Sequence, residues 1–199
     1  WLKVNEKPLA LFVEGMKRPH YYSPMVPASE AGGLISTLLP AVQKCRAITR
    51  ALTARSMLRL HEGKVDAAWE DLMTCHRLAR HLSKGGTLIE ALVGLAIEQI
   101  AFKTGVAFLE RPELDGKQLL RCLGDLRSLS RLPALGSSMD GAERFSYLDT
   151  IMQVDRYGLN FLKEIGDFPE KFPVVKGPLE HMNWDAGLRN ANKMFDRVS

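Results

Sequence analysis

Apolar residues along this chain recur roughly every three to four positions, and alternating apolar and polar runs are nearly absent, so helical periodicity dominates. The pattern predicts an all-α fold of about seven helices in antiparallel hairpins. A short first helix is expected over residues 2–16, with Pro8 marking either a kink or the true start. An irregular stretch over 17–33 follows, punctuated by Pro19, Pro24, Pro27, Gly32 and Gly33. Residues 34–61 read as one long helix, with a restart allowed at Pro40. One face carries Leu38, Val42, Cys45, Ile48 and Leu52, and a second, alanine-rich face carries Ala47, Ala51, Ala54 and Leu58. Two apolar faces predict two neighbours, one of which the alanines let in closely.

Glu62-Gly63 forms a short turn into a helix over about 65–83, with Val65, Ala68, Leu72, Cys75, Ala79 and Leu82 on one stripe. So short a turn makes an antiparallel hairpin. Gly85-Gly86 closes it, and Thr87 is placed to cap a fourth helix running to Leu109. That helix is apolar nearly all round, which predicts a central position. Its narrow side of Gly94, Glu98, Ala101 and Gly105 would admit a close neighbour, with Glu98 inside the contact. A helix over about 115–130 should turn Leu119, Leu123 and Leu126 inward. Another, over about 138–159, presents Tyr147, Leu148, Ile151 and Met152, with Asp155 in the same arc. After a second irregular stretch, 166–183, containing Phe168 and Phe172, the last helix sets Trp184, Leu188, Ala191, Phe195 and Val198 on one face. The whole is expected to be a single domain, 1–199, with core hairpins over 34–109 and C-terminal helices over 115–199.

Composition adds few constraints. The 199 residues are 46% hydrophobic and 25% charged, ordinary for a globular domain, and 27 basic against 23 acidic residues leave +4. Lys44, Arg46, Arg50, Arg55, Arg59, Lys64, Arg77 and Arg80 crowd one region, but Arg46 and Arg50 point nearly opposite to Arg55 and Arg59 on the same helix. Such dispersal argues against a nucleic-acid stripe. Cys45, Cys75 and Cys122 are far apart inside helical patterns, and read as small buried hydrophobes rather than a disulfide framework or zinc site. No span across a membrane is expected, because 88–109 contains Glu90, Glu98, Gln99 and Lys103. Opening on Trp1 and ending inside a helical pattern, the sequence is expected to be a fragment of a longer chain.

Ala54, Leu58, Leu60, Gly63, Asp66, Ala67, Leu72, Leu78 and Ala79 resemble one degenerate tetratricopeptide hairpin over 54–82, although no second period returns downstream. More widely, Leu38-Leu39-Pro40, Arg46, Arg50, Arg55, Gly63, Leu78-Ala79-Arg80, Leu88-Ile89 and Trp184-Asp185 resemble an uncharacterised family of helical bacterial proteins. The hairpin resemblance implies tetratricopeptide-like packing, and the family resemblance implies a cell-envelope setting, anchored or exported. It implies no activity.

Few residues suggest chemistry. Cys75, His76 and His81 project in different directions from their helix, so neither a protein-ligated metal nor a cofactor is expected. Gly32-Gly33 and Gly85-Gly86 are turn glycines, not phosphate loops. The candidates are a buried polar network of Glu98, Arg55, Asp155 and His76, with Arg55 as the partner of Glu98, and a binding loop at His20, Tyr21 and Tyr22. The network reads either as an acid/base site or as an ion pair fixing helix register, and the loop either as a binding surface or as a plug. The function expected is a non-enzymatic helical scaffold or protein–protein interaction module. The alternative is a small-molecule or enzymatic site around Glu98, Asp155 and Arg55, and a third reading is assembly through Trp184, Leu188 and Phe195.

Overall fold

Every described segment of substantial length is helical, and the fold is all-α. The computed structural model describes residues 2–27, 33–112, 114–158, 161 and 183–197. Among them the β pairing is confined to Val26–Pro27 against Thr37–Leu38, antiparallel. Contacts gather the described residues into two compact units. One draws on residues up to Tyr22, Pro40–Gly85 and Ile89–Pro133, the other on Ser23–Leu39, Gly86–Leu88 and the chain from Ala134 onward.

The first unit is built on α2 (Pro40–His61) and α3 (Val65–Ser83), which pack along their lengths. The long helix begins at Pro40 rather than at residue 34. The proline ring pushes Leu39 out of the helical region, and a 3₁₀ turn at Leu34–Ser36 precedes it. At the other end Gly63 adopts φ +73°, with its N–H on the Leu60 carbonyl and the Lys64 N–H on Arg59. Both bonds of a Schellman closure are present, and a Cβ would strain that backbone. The returning α3 lies antiparallel: Ser56 Oγ donates to the Ala68 carbonyl at 2.8 Å, and Arg59 Nη1 to Ala67 at 3.1 Å. Val42, Leu52, Ala68, Leu72, Cys75, Leu78, Ala79 and Leu82 of these two helices are buried.

The second predicted face of α2 is covered at Ala51 alone, which packs against the cluster of Leu9, Leu52, Cys75 and Ala101. Ala47 and Ala54 are exposed and Leu58 is 46% exposed. Alanine is the best helix former and has almost no side chain to bury, so that stripe reflects propensity rather than packing.

Helix α4 (Leu88–Leu109) is not central all round. Ala91, Gly94, Ile97, Ala101 and Phe108 are buried, while Ile89, Leu92, Phe102 and Val106 lie between 41% and 64% exposed. By length and composition, with a mean hydropathy of 1.5, it could cross a membrane, although a third of that window is buried. Of the two glycines on its narrow side, Gly94 alone sits tight against α3. A Cβ there would stand 2.7 Å from the Ala79 carbonyl oxygen and 3.0 Å from the Ser83 nitrogen, whereas Gly105 has nothing within 4 Å.

Helix α1 (Glu6–Gly15) seats Leu9 against Leu52, Cys75 and Ala101. Helix α5 (Gly116–Ser128) opens on an Asp115–Gln118 capping box. It packs through Cys122 and Leu126 onto Trp69 and Phe108, whose rings lie 5.4 Å apart. Leu119 and Leu123, expected inside, are 39% and 42% exposed, because the Trp69 Nε1–Asp125 bond of 2.8 Å turns the seam toward Cys122.

In the second unit the predicted 138–159 helix starts later. A four-residue turn, α6 (Leu135–Ser138), and a π-turn (Met139–Glu143) broken at Gly141 precede α7 (Arg144–Tyr157). Helix α8 (Trp184–Phe195) packs on α7 through the face suggested for assembly: Ala191 and Phe195 are buried, and Phe195 meets the Tyr147 ring at 5.9 Å. Arg144 secures this by pairing with Asp140 and, at 2.8 Å, with Asp196. Phe168, Phe172 and Val198 lie outside the described residues.

Replacing Gly94 by Val should destabilise the protein by about 1–3 kcal/mol through overpacking against main chain, read as a lower urea midpoint at unchanged slope. Gly105→Ala, with open space around it, should leave that midpoint unchanged or raise it.

Candidate functional site

His76 and Arg80 stand four residues apart on α3 and therefore share a face, which meets Glu98 of α4. His76 Nδ1 lies 2.9 Å from Glu98 Oε2, and Arg80 Nη1 is 3.0 Å from the same oxygen. An ionised carboxylate can only accept, so Nδ1 carries the proton of this bond. Arg80 is held further by its Nε on the Ser130 carbonyl at 2.7 Å and its Nη1 on the His76 carbonyl at 2.8 Å. Burial pushes the Glu98 carboxyl upward, but the hydrogen bond and charge of His76, with Arg80 beside it, outweigh this and hold it below the ordinary carboxylate range.

The expected Glu98–Arg55 pair is not formed. Arg55 is 8% exposed and grips Asp71 instead, Nε to Oδ2 at 2.9 Å and Nη2 to Oδ1 at 2.6 Å. Arg59 Nη1 adds a third bond at 3.0 Å. Asp71 is wholly buried and was missed, although the sequence carried its signal: it sits three residues after Ala68 and four before Cys75, inside the α3 stripe. On α2, Arg55 flanks the buried Leu52 and Ser56 and so faces α3 near Asp71.

Asp155 is exposed on α7, whose buried side narrows to Val154 one residue earlier, and so it is solvated rather than part of a network. Of the candidate loop, His20 and Tyr22 are exposed, Tyr22 to 85%. Tyr21 is half-buried, with its hydroxyl donating to Glu90 Oε1 at 3.3 Å and its ring 6.2 Å from that of His81. Glu90, 2% exposed, is a second buried carboxylate the sequence reading passed over. It is a first-turn acid beneath the Gly85 turn, where a Cβ would meet its carboxylate at 2.6 Å.

Comparison with protein-family models, curated proteins and solved structures yields no match.

All three cysteines are buried thiols. Burial raises Cys75 to about 12 and Cys122 to about 11, and raises Cys45 as well, so none is a poised nucleophile near neutrality. His76, Glu98 and Arg80 form a hydrogen-bonded triad in which one carboxylate oxygen takes both partners.

A carboxylate held low stabilises the fold above its ordinary range and loses that contribution as pH falls through its folded value. Glu98→Gln should therefore lower stability at pH 7 by roughly 1–2 kcal/mol and flatten the acid limb of the stability curve. Urea titrations from pH 3 to 7 read both; an unchanged acid limb would remove Glu98 from the balance.

Proposed function

We propose that this chain is a non-enzymatic helical interaction module whose outward face of α4 receives an amphipathic helix of a partner protein. The observation carrying this reading is the exposure of Ile89, Leu92, Phe102 and Val106 on a helix whose opposite face is anchored by Ile97, Ala101 and Phe108. Large apolar side chains exposed on one side of a helix are a usual mark of a docking site, and helix-in-groove recognition reads anchors at spacings such as Phe102 and Val106. The same outward side exposes Gln99 and Lys103, so the complementary helix carries a carboxylate beside its apolar stripe. Commitment of Glu98 and Arg55 to intramolecular ion pairs supports a binding role over an enzymatic one. The Schellman-closed α2–α3 hairpin supports the tetratricopeptide-like reading, and the bacterial cell-envelope setting rests on the sequence resemblance alone.

A photo-crosslinking side chain placed at Phe102 in the full chain, expressed in its native cell, should give a discrete adduct. Mapped by mass spectrometry, it should fall in an apolar-faced, acidic helix of another protein, and Val106→Asp should abolish it. A yield at Phe102 no greater than at the exposed control Ala54, or an adduct only with a second copy of this chain, would overturn the proposal.

A further inference from the structure

A second surface of the first unit carries charge instead of hydrocarbon. Helices α1, α3 and α5 end beside one another, and between their C-terminal ends opens a cleft of about 370 Å³. Its side chains include Lys17, Arg18, Arg77, Arg80, His81 and Lys84, and no acidic residue lines it. Three helix C-termini offer a ready alternative explanation, because their partial negative charge attracts cations as caps. The bonding pattern does not bear that out. The last-turn carbonyls are largely taken by main chain: Lys17 N–H on Glu14, Arg18 N–H on Gly15, Lys84 N–H on Arg80 and His81, and Leu129 N–H on Leu126. Among the described residues, Arg80 is the one cation of the cleft whose side chain donates to carbonyls, those of His76 and Ser130; Ser128 Oγ caps the Asp125 carbonyl.

The cations divide into three kinds. Arg80 is fixed by Glu98 and the carbonyls and forms a rigid wall. Lys17 and Arg77 are paired with Glu14 at 3.3 Å and Glu70 at 2.8 Å, but those carboxylates are 67% and 36% exposed, and pairs so exposed contribute little and exchange readily. Arg18 and Lys84 are exposed and, among the described residues, hold no carboxylate. Five permanent cations against those three carboxylates leave the side chains of the cleft net positive, an excess larger than the partial charges of three helix C-termini, and a concave wall focuses that field.

We infer that this cleft binds the phosphate group of a small phosphorylated molecule, with Arg18, Arg77 and Lys84 as the ligating side chains. Guanidinium forks match a phosphate dianion through paired N–H donors, and lysine adds a compact charge. The volume suits a small-molecule site. This site is independent of the α4 face, and either can fail alone.

The test is calorimetry and thermal melting of the full chain with glycerol 3-phosphate and inorganic phosphate, using glycerol and chloride at matched ionic strength as controls. Both phosphates should bind saturably and raise the melting temperature, and the controls should not. Arg18→Gln with Lys84→Gln, two exposed substitutions that leave the helices intact by circular dichroism, should weaken binding about tenfold or more. Responses equal to chloride, or undiminished in the double variant, would overturn the site. Cosedimentation with vesicles containing phosphatidic acid, without binding of soluble glycerol 3-phosphate, would instead assign the charge to a lipid surface and reject the small-molecule reading.

Discussion

Asp71 is a carboxylate with no exposed surface, and α2 meets it with two guanidinium groups, Arg55 in bidentate contact and Arg59 beside it. A charge in that position cannot be left alone, because losing its partners would strand it away from water. The pair is directional as well. Only one register of α3 on α2 brings both oxygens of Asp71 onto the Arg55 fork, and the Ser56–Ala68 and Arg59–Ala67 bonds agree with that register. The Schellman turn at Gly63 fixes the hairpin at one end, and the ion pair fixes it about two turns away along α2 and α3.

Everything placed by α3 inherits that register. Ala79 and Ser83 offer the main-chain surface that Gly94 approaches, and His76 and Arg80 reach the Glu98 oxygen one turn further along α4. Trp69, on the same helix, meets Phe108 and Asp125 and so orients α5. Helix α4 is thus held on one side by a close backbone contact and a polar triad, which leaves its opposite apolar side outward. The basic cleft arises from the same placement, because Arg77, Arg80, His81 and Lys84 all project from the last turns of α3.

Helix identity was legible from periodicity, and the hairpin turn from Gly63 and its spacing. What periodicity could not supply was which apolar faces find partners. The alanine stripe of α2 and the hydrocarbon of α4 look alike in sequence to buried surface, yet Ala47, Ala54, Phe102 and Val106 face water. Charged partners were misassigned for a related reason. Asp71 lies between Ala68 and Cys75 on the apolar stripe of α3, a position that outranks its residue type, and Arg55 belongs to it rather than to Glu98. The true partners of Glu98, four residues apart on one neighbouring helix, become visible only once the α3–α4 crossing at Gly94 is known.

The dependence of the fold on the α2–α3 ion pair is tested most directly by a double-mutant cycle of Arg55→Met and Asp71→Leu, followed by urea denaturation. Each single change strands a buried charge and should cost about 3–5 kcal/mol, while the double variant, with no charge left to strand, should recover much of that loss. Single costs that are small, or that simply add in the double variant, would contradict the central role given to this pair.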